Sequence, residues 1–318
     1  MAAYTIRRVL WVLPVLWAVA TITFFIMHAV PGGPFTQDKA LPAPVNEALN
    51  RRYNLDKPVW EQYTTYLWNA GHGDLGLSFK GDRDVTTVIK ETFFVTAQLG
   101  LLGLVVAVVL GLTLGTLSAL NHNGPLDYMG VAFATIFASV PNFIVASFLV
   151  IFFAIDINIF KISGWGGPQH LAGVLKMSSY HWDKMVIPVI SISALPASYI
   201  ARVTRASVLE VLNQDYIRTA RAKGLRENRV VLGHTMKNAM IPVLTVMGPI
   251  AANLVTGSFI SETMFTIPGL GRETVNAVIA RDYAVIMGTT LFFTLIVTIA
   301  NLVVDLAYAV VDPRIRYG

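Results

Sequence analysis

Long apolar runs separated by short polar segments dominate the pattern of this chain of 318 residues. A helix needs about 20 apolar residues to cross a bilayer, and six runs reach that length. They cover Val9–Val30, Val95–Leu120, Tyr128–Ile155, Met185–Ala206, Ala239–Ile260 and Ala284–Val311. Pro188 and Pro196 interrupt the fourth run, but membrane helices tolerate proline where neighbouring groups satisfy the freed carbonyls. The pattern therefore predicts an all-α, polytopic membrane protein with six transmembrane helices.

The segment between the first two runs, Pro31–Phe94, is long enough to hold structure of its own. Helical spacing and the positions of proline predict two short helices within it, Pro44–Tyr53 and Pro58–Ala70. Asp84 is placed to cap a third helix that continues into the second span. We therefore expect this segment to form a small folded unit on one side of the membrane.

Glycine spacing predicts a close contact between two spans. Gly111 and Gly115 form a G-x-x-x-G pattern in the second run, which allows another helix backbone to approach closely. After the fifth run, a turn leads into Arg272–Ile279, a helix candidate that is too short to cross a bilayer.

A polar segment between the fourth and fifth runs, residues 207–237, carries the marks of a short helix. Asn213 is placed to cap it, and Asp215 brings negative charge to its first turn. Lys223 brings positive charge to its last turn, and Gly224 can adopt the left-handed conformation that ends a helix. We therefore predict a helix over Asn213–Gly224.

One face of this predicted helix is less polar than the rest. Tyr216, Ile217, Ala220 and Gly224 recur at spacings of three and four, so they share a face. The basic residues lie off it, at Arg218, Arg221 and Lys223. Such a helix between two spans suggests docking of a soluble partner, although an ordinary basic loop would also satisfy the charge pattern.

The distribution of basic residues predicts the orientation. Residues 202–237 hold eight Lys or Arg against three acidic residues. Further basic residues flank the outermost spans, at Arg7, Arg8, Arg314 and Arg316. With six spans all of these lie on one side, which the positive-inside rule identifies as cytoplasmic. Both termini are then cytoplasmic, and the net charge of +5 reflects topology rather than binding of nucleic acid.

Composition excludes several kinds of chemistry. Charged residues make up 14% of the chain, against about 25% in soluble proteins. The absence of cysteine excludes disulfides and thiolate metal sites. Six histidines are scattered without metal-ligand spacing, at His28, His72, His122, His170, His181 and His234. No G-x-x-x-x-G-K-[ST] phosphate loop occurs, so any ATP-driven work requires another subunit.

Few acidic residues fall within the spans. Asp305 lies near the cytoplasmic end of the sixth, where we favour pairing with a basic residue over a transport role. Asp156 and Glu262 lie at the outer ends of spans, and we expect both at the membrane interface. Such sparse intramembrane charge argues against a carrier driven by protons or ions.

Several segments, in order along nearly the whole chain, resemble one family. YIRTARAKGL over Tyr216–Leu225, followed by NAMIPV over Asn238–Val243, closely resembles the coupling-helix motif of ABC importer permeases. The branch it resembles imports dipeptides, oligopeptides and nickel. The flanking segments that are similar to the same branch are YTIRRVLWVLPVLWAVATITFFIMHAVPGGP, YNLDKPVWEQY, GDLGLSF, ETMFTIPGLGR and VDPRIRY. Arg218 stands where the general motif has glutamate, as in the peptide branch.

This resemblance implies a type I importer fold over a single permease domain, residues 1–318. Its parts are a first span (1–30), an extracytoplasmic segment (31–94), spans two to six with the coupling segment 207–237 (95–311), and a cytoplasmic tail (312–318). The implied ATPase-coupling helix comprises Asp215, Tyr216, Ile217, Arg218, Thr219, Ala220, Arg221, Ala222, Lys223 and Gly224. Its less polar face is expected to fill a groove of the partner.

The resemblance also implies the partners and the location. These are a second, homologous permease subunit, two cytoplasmic ATPases that bind ATP and Mg, and an extracytoplasmic substrate-binding protein. This chain itself would hold no cofactor, no metal and no catalytic residue, and would lie in the inner membrane of a prokaryote. Peptides are the default substrate, while nickel complexes, glutathione and short oligosaccharides remain open.

Two other classes of protein are alternatives to this interpretation. A secondary transporter would show helices broken beside buried charges and two repeat-related halves, and neither is visible in the sequence. An intramembrane serine protease would require Ser258 or Ser139 as nucleophile and His28 as base. Isolated serines in membrane helices usually bond to their own helix, which weighs against a protease.

Overall fold

A computed structural model describes residues 2–35, 42–168 and 180–311 of the chain, and within these ranges it describes side chains for 7–8, 10–35, 42–168 and 180–303. The only β-pairing in these ranges is an isolated bridge between Leu77 and Asp84. Five helices of the described part are long and apolar enough to cross a membrane, and the number is six if one bent pair of helices is counted as a single span. The expected all-α membrane fold is confirmed.

Spanning helices alternate along the chain with shorter ones. In chain order the described α-helices are α1 Ala2–Ala29, α2 Ala43–Arg52, α3 Val59–Gly71, α4 Val85–Leu120, α5 Pro125–Ser139, α6 Asn142–Leu149, α7 Trp182–Leu212, α8 Asp215–Ala222, α9 Glu227–Arg229, α10 Met236–Val255, α11 Phe259–Met264, α12 Leu270–Ala280 and α13 Tyr283–Val311. Short π-helical stretches extend α6 through Val150–Asp156 and join α9 to α10 through Val230–Thr235. The predicted short helices of the outer segment and after the fifth span correspond to α2, α3 and α12.

The third span is broken, which corrects the prediction of one helix over Tyr128–Ile155. Its halves, α5 and the extended α6, meet at an angle of 111°. Pro141 explains the break, since proline disfavours helical backbone at the residue before it. That residue, Val140, is extended, with φ −94° and ψ 123°. Both halves are strongly apolar, so the hydrophobic pattern alone did not reveal the bend.

The fourth and fifth spans are longer than their apolar runs. Helix α7 runs unbroken through Pro188 and Pro196 to Leu212, and the fifth span begins at Glu227. The helices extend beyond the apolar runs because backbone hydrogen bonding continues where hydrophobicity ends. The connection between them is therefore residues 213–226, shorter than the predicted segment 207–237.

Helices α4 and α7 pack along the predicted glycine pattern. A Cβ atom on Gly111 would lie 2.6 Å from the Cβ of Ile200, and one on Gly115 would lie 2.5 Å from the carbonyl oxygen of Ala201. Both distances are too short for real carbon contacts, so only glycine allows the two backbones to approach this closely. The predicted close contact is confirmed.

The outer unit is fixed to the spans by packing and hydrogen bonds. Tyr63 of α3 packs with Phe24 of α1 and Met287 of α13. The hydroxyl of Ser78 donates to Asp282 over 2.5 Å, just before α13 begins. Asp84 occupies the predicted N-cap position of α4, but its side chain forms no capping hydrogen bond.

Candidate functional site

Helix α8 is the predicted coupling helix, with corrected ends. Gln214 is its N-cap residue, and its first turn contains Asp215 as expected. Asn213 instead ends α7 and donates its side-chain amide to the carbonyl of Leu209 over 2.9 Å, so the predicted cap was wrong. Gly224 has φ +77° and confirms the predicted left-handed stop.

Two residues of the predicted less polar face, Ile217 and Ala220, face their own chain instead of being free to contact a partner, whereas Tyr216 and Gly224 of that face are exposed. Ile217 is fully buried and Ala220 is 7% exposed. Both pack in one cluster with Val230, at the base of the fifth span, and with Val211 and Leu225 beside it. A helix of two turns is marginal in water by itself, so its apolar stripe is used to hold it in place.

Polar contacts also fix α8 to the base of the fifth span. The hydroxyl of Tyr216 accepts a hydrogen bond from the Asn238 amide over 2.6 Å. The guanidinium of Arg221 pairs with Glu227 at 2.6 Å, and this hydrogen bond raises the pKa of Arg221 above its usual value. With the buried cluster, these contacts attach α8 to α9 and to the start of α10.

The outward face of α8 is polar and small. Asp215, Arg218, Thr219 and Ala222 are exposed and share the side opposite the buried cluster. The Arg218–Asp215 pair, 3.5 Å long, is largely exposed and contributes little to stability. Lys223, exposed at the C-cap, continues this surface. Any docking partner of α8 therefore meets charges and the methyl group of Ala222.

An ion pair with a buried carboxylate joins α5 to α7, and no sequence pattern predicted it. Asp127, at the start of α5, is 3% exposed and accepts from Arg205 Nε at 2.6 Å and from a second guanidinium nitrogen at 2.8 Å. It also accepts from the hydroxyl of Ser118 at 2.5 Å and from the backbone N–H of Asn123 at 2.9 Å. Its position after Gly124 and Pro125, in the first turn of a helix, was the available sequence signal.

This ion pair joins three spans near the connection to α8. Ser118 lies on α4, Asp127 on α5 and Arg205 on α7, whose last residue is Leu212. His122 adds a contact to Asp127 at 3.2 Å. The pair thus links the helix that leads into α8 with the first half of the broken third span.

A cleft of about 770 Å³ opens between helices α6, α7, α10, α11 and α13. Its lining is mainly apolar, and the described residues that form it include no Asp, Glu, Lys, Arg or His. The polar side chains in the described lining are Asn142, Tyr199, Asn253, Thr256, Ser258 and Asn301. The cleft can therefore form hydrogen bonds but offers no charge to a ligand.

Glu262 is fully buried, which corrects its expected place at the membrane interface. The chain folds back after α11, so the carboxylate lies at the N-terminus of α12 and accepts the N–H of Arg272 over 3.1 Å. Gly257, Gly269 and Gly271 surround it, and a Cβ on Gly271 would lie 2.9 Å from the carboxylate. The carboxylate thus lies against the connection between the fifth span and α12, and its Oε1 has no hydrogen-bond partner among the described residues.

The serine and histidine residues that the protease alternative requires do not bond to one another. Ser139 donates to the carbonyl of Thr135 over 2.9 Å, and Ser258 caps α11. His28 instead contacts the carbonyl of Phe24 and the side chain of Gln62. The side chain of Asp305, and all of His170, Arg314 and Arg316, lie outside the described residues. Among those described, no group of three or more His, Asp or Glu is placed to hold a metal ion.

Comparisons with known proteins agree with this architecture. Residues 107–317 match the family model described as binding-protein-dependent transport system inner membrane component. The dipeptide transport system permease protein DppB of Bacillus subtilis is 40% identical over 99% of this chain and 98% of its own length. The oligopeptide transport system permease protein OppB of Salmonella typhimurium is 39% identical over the full length of both chains.

Two solved structures share the fold. A chain of the MetNI methionine ABC transporter, in inward-facing conformations, aligns with a TM-score of 0.55 at 19% identity, covering 71% of this chain and 97% of that chain. An amino acid ABC transporter with histidines aligns with a TM-score of 0.51 at 13% identity, covering 70% of this chain and 94% of that chain. With the family model and the full-length relatives, these findings establish that the chain belongs to the family of ABC importer permeases, the binding-protein-dependent transport system inner membrane components.

Proposed function

We propose that this chain is the permease subunit of an ATP-driven importer of dipeptides or oligopeptides and forms half of its translocation path. The observation that carries the proposal is the full-length similarity to peptide permeases, at 40% identity for DppB and 39% for OppB. The uncharged cleft supports it, because a path for varied peptides must accept side chains of either charge. Without a phosphate loop, the chain contributes movement and a path rather than ATP hydrolysis.

The proposed assembly contains a second, homologous permease subunit, two ATPase subunits and an extracytoplasmic substrate-binding protein. The ATPases bind ATP and Mg, and their docking site on this chain is α8 with its flanking turn. The exposed polar face of α8 supports this role, because its attachment to α9 and α10 would carry movement of an ATPase directly into the fifth span. This face, rather than the buried Ile217 and Ala220, would contact the partner.

The proposed orientation in the prokaryotic inner membrane places both termini and α8 in the cytoplasm and residues 31–94 outside. It rests on the excess of basic residues around α8. The absence of native cysteine allows a clean test with a thiol reagent that cannot cross membranes. In intact cells, Ala43→Cys is expected to react, whereas Asn228→Cys is expected to react only after permeabilisation. The reverse pattern would refute the orientation.

The experiment that tests the proposed function is reconstitution of the complex in lipid vesicles. The isolated chain is expected to hydrolyse no ATP, while the complete complex is expected to hydrolyse ATP faster when a peptide-loaded binding protein is added. A complex in which peptide-loaded binding protein leaves hydrolysis and peptide uptake unchanged would contradict the proposal.

A further inference from the structure

Three exposed polar side chains in the wall of the 770 Å³ cleft lack hydrogen-bond partners in the described part of the chain. They are the phenol of Tyr199 on α7, the amide of Asn253 on α10 and the amide of Asn301 on α13. All three side chains are exposed, Tyr199 at 50%. Each belongs to a helix that is otherwise apolar enough to cross the membrane.

Hydrocarbon is a poor environment for such groups. An amide transferred from water without a hydrogen-bond partner costs several kcal/mol, and membrane proteins accordingly turn polar side chains toward water, protein or a ligand. Neighbouring threonines show the usual solution, since Thr256 on the same wall bonds to the carbonyl of its own helix at 2.8 Å. Tyr199, Asn253 and Asn301 have no such internal bond, so this wall is not expected to face lipid.

We propose that Tyr199, Asn253 and Asn301 form hydrogen bonds with the backbone amides of a peptide passing through the cleft. An amide side chain can donate and accept, which matches the N–H and C=O groups that every peptide carries. The cleft volume lies in the range of about 300–1,000 Å³ found for small-ligand sites. This inference rests on the proposed function and deepens it by naming which groups contact the substrate.

The described residues of the same lining include no charged side chain, and this completes the inference. A fixed charge in such a path would hold peptides of opposite charge and repel those of like charge. A transport path must bind its cargo weakly enough to release it. Neutral hydrogen-bonding groups meet this requirement for cationic, anionic and neutral peptides alike.

Installing a charge at Asn253 is the test. Uptake of Ala-Lys-Ala and Ala-Glu-Ala is measured in vesicles that hold the complete complex, and each rate is normalised to the wild-type complex with the same peptide and binding protein. Asn253→Asp and Asn253→Lys are expected to change the cationic-to-anionic ratio about tenfold or more, and in opposite directions, because the two variants place opposite charges beside the same peptides. Ala-Ala-Ala serves as the uncharged reference.

Matched controls separate a path effect from a general charge effect. Asn158 is an exposed residue that does not line the cleft. The variants Asn158→Asp and Asn158→Lys are expected to leave the ratio within about twofold of the wild-type ratio, which is well below the tenfold change expected at Asn253. Asn253→Cys provides a second measurement, since the native chain lacks cysteine. In the assembled complex this cysteine is expected to react with a hydrophilic thiol reagent.

The outcomes distinguish this inference from the proposed function. If the wild-type complex imports all three peptides but the two Asn253 charge variants show the same ratio, the inference is overturned and the proposed function stands. An unreactive Asn253→Cys that cross-links to the second permease subunit would also overturn it, because the wall would then be covered by protein. If the wild-type complex imports none of the peptides, the proposed function fails, and this inference falls with it.

Discussion

Replacing Asp127 with alanine is expected to destabilise the protein by about 3 kcal/mol, at the lower end of the 3–5 kcal/mol seen when one member of a buried ion pair is removed. Asp127 is buried, and its loss leaves the Arg205 guanidinium and the Ser118 hydroxyl without their partner. The lower end applies because the Arg205 side chain is 27% exposed and can recruit water. Thermal unfolding of the purified complex measures the effect.

Three companion variants identify the ion pair as the cause. Arg202→Ala is the matched control on the same helix, since Arg202 has one weak hydrogen bond to the carbonyl of Ala134 at 3.3 Å and is expected to cost under about 1 kcal/mol. The double variant Asp127→Ala, Arg205→Ala is expected to lose less stability than the two single variants lose together. The single variant Arg205→Ala completes this double-mutant cycle. Strictly additive losses, or an Asp127→Ala complex that unfolds at the wild-type temperature, would contradict this role of the ion pair.

Replacing Ala222 with proline is expected to abolish coupling while leaving the spans intact. Proline removes the backbone N–H and clashes with the preceding turn, at a cost of about 3 kcal/mol inside a helix. Ala222 is exposed and ends α8, so no buried contact within the chain is lost directly. Peptide-stimulated ATP hydrolysis and uptake by the reconstituted complex are both expected to fall at least tenfold. A tenfold fall corresponds to a loss of about 1.4 kcal/mol in the free energy of docking between α8 and the ATPase.

Controls at neighbouring positions define what α8 contributes. Ala222→Ser keeps the helix and is expected to retain activity, and Arg221→Ala removes an exposed ion pair worth only about 0–1 kcal/mol. Ala220→Trp is expected to disrupt the packing of α8 against Val230, since Ala220 is buried in that cluster rather than presented to a partner. If Ala222→Pro hydrolysed ATP and imported peptide at wild-type rates, α8 would have no coupling role and would be an ordinary basic connection between two spans.

The positions of the spans were predictable because hydrophobicity alone determines which segments enter a bilayer. The breaks within the spans and the residues at which the spans end were not predictable in this way. The bend at Pro141 lies within a continuous apolar run, and the same composition suits a straight or a broken helix. The extension of α7 to Leu212 displaced the predicted cap at Asn213, because the identity of a capping residue depends on where the previous helix ends.

Helix α8 was recognisable in the sequence, but which of its faces packs on the rest of the chain was not. Helical spacing correctly grouped Ile217 with Ala220, yet spacing cannot tell whether a face packs on its own chain or on a partner. The pair of Asp127 and Arg205 was missed because the two residues are separated by 78 positions, and no local pattern reports such a pairing. Glu262 was misplaced for a related reason, since its burial depends on the return of the chain toward α12.

The most direct test of the central claim is ATP-driven uptake of a labelled peptide by the reconstituted complex, with the loaded binding protein outside the vesicles and ATP inside. We expect Ala-Ala-Ala to accumulate above its external concentration, and only when ATP, the binding protein and this chain are all present. Accumulation at the wild-type rate without this chain, or accumulation driven by an ion gradient without ATP, would contradict the claim that this chain is the permease of an ATP-driven peptide importer.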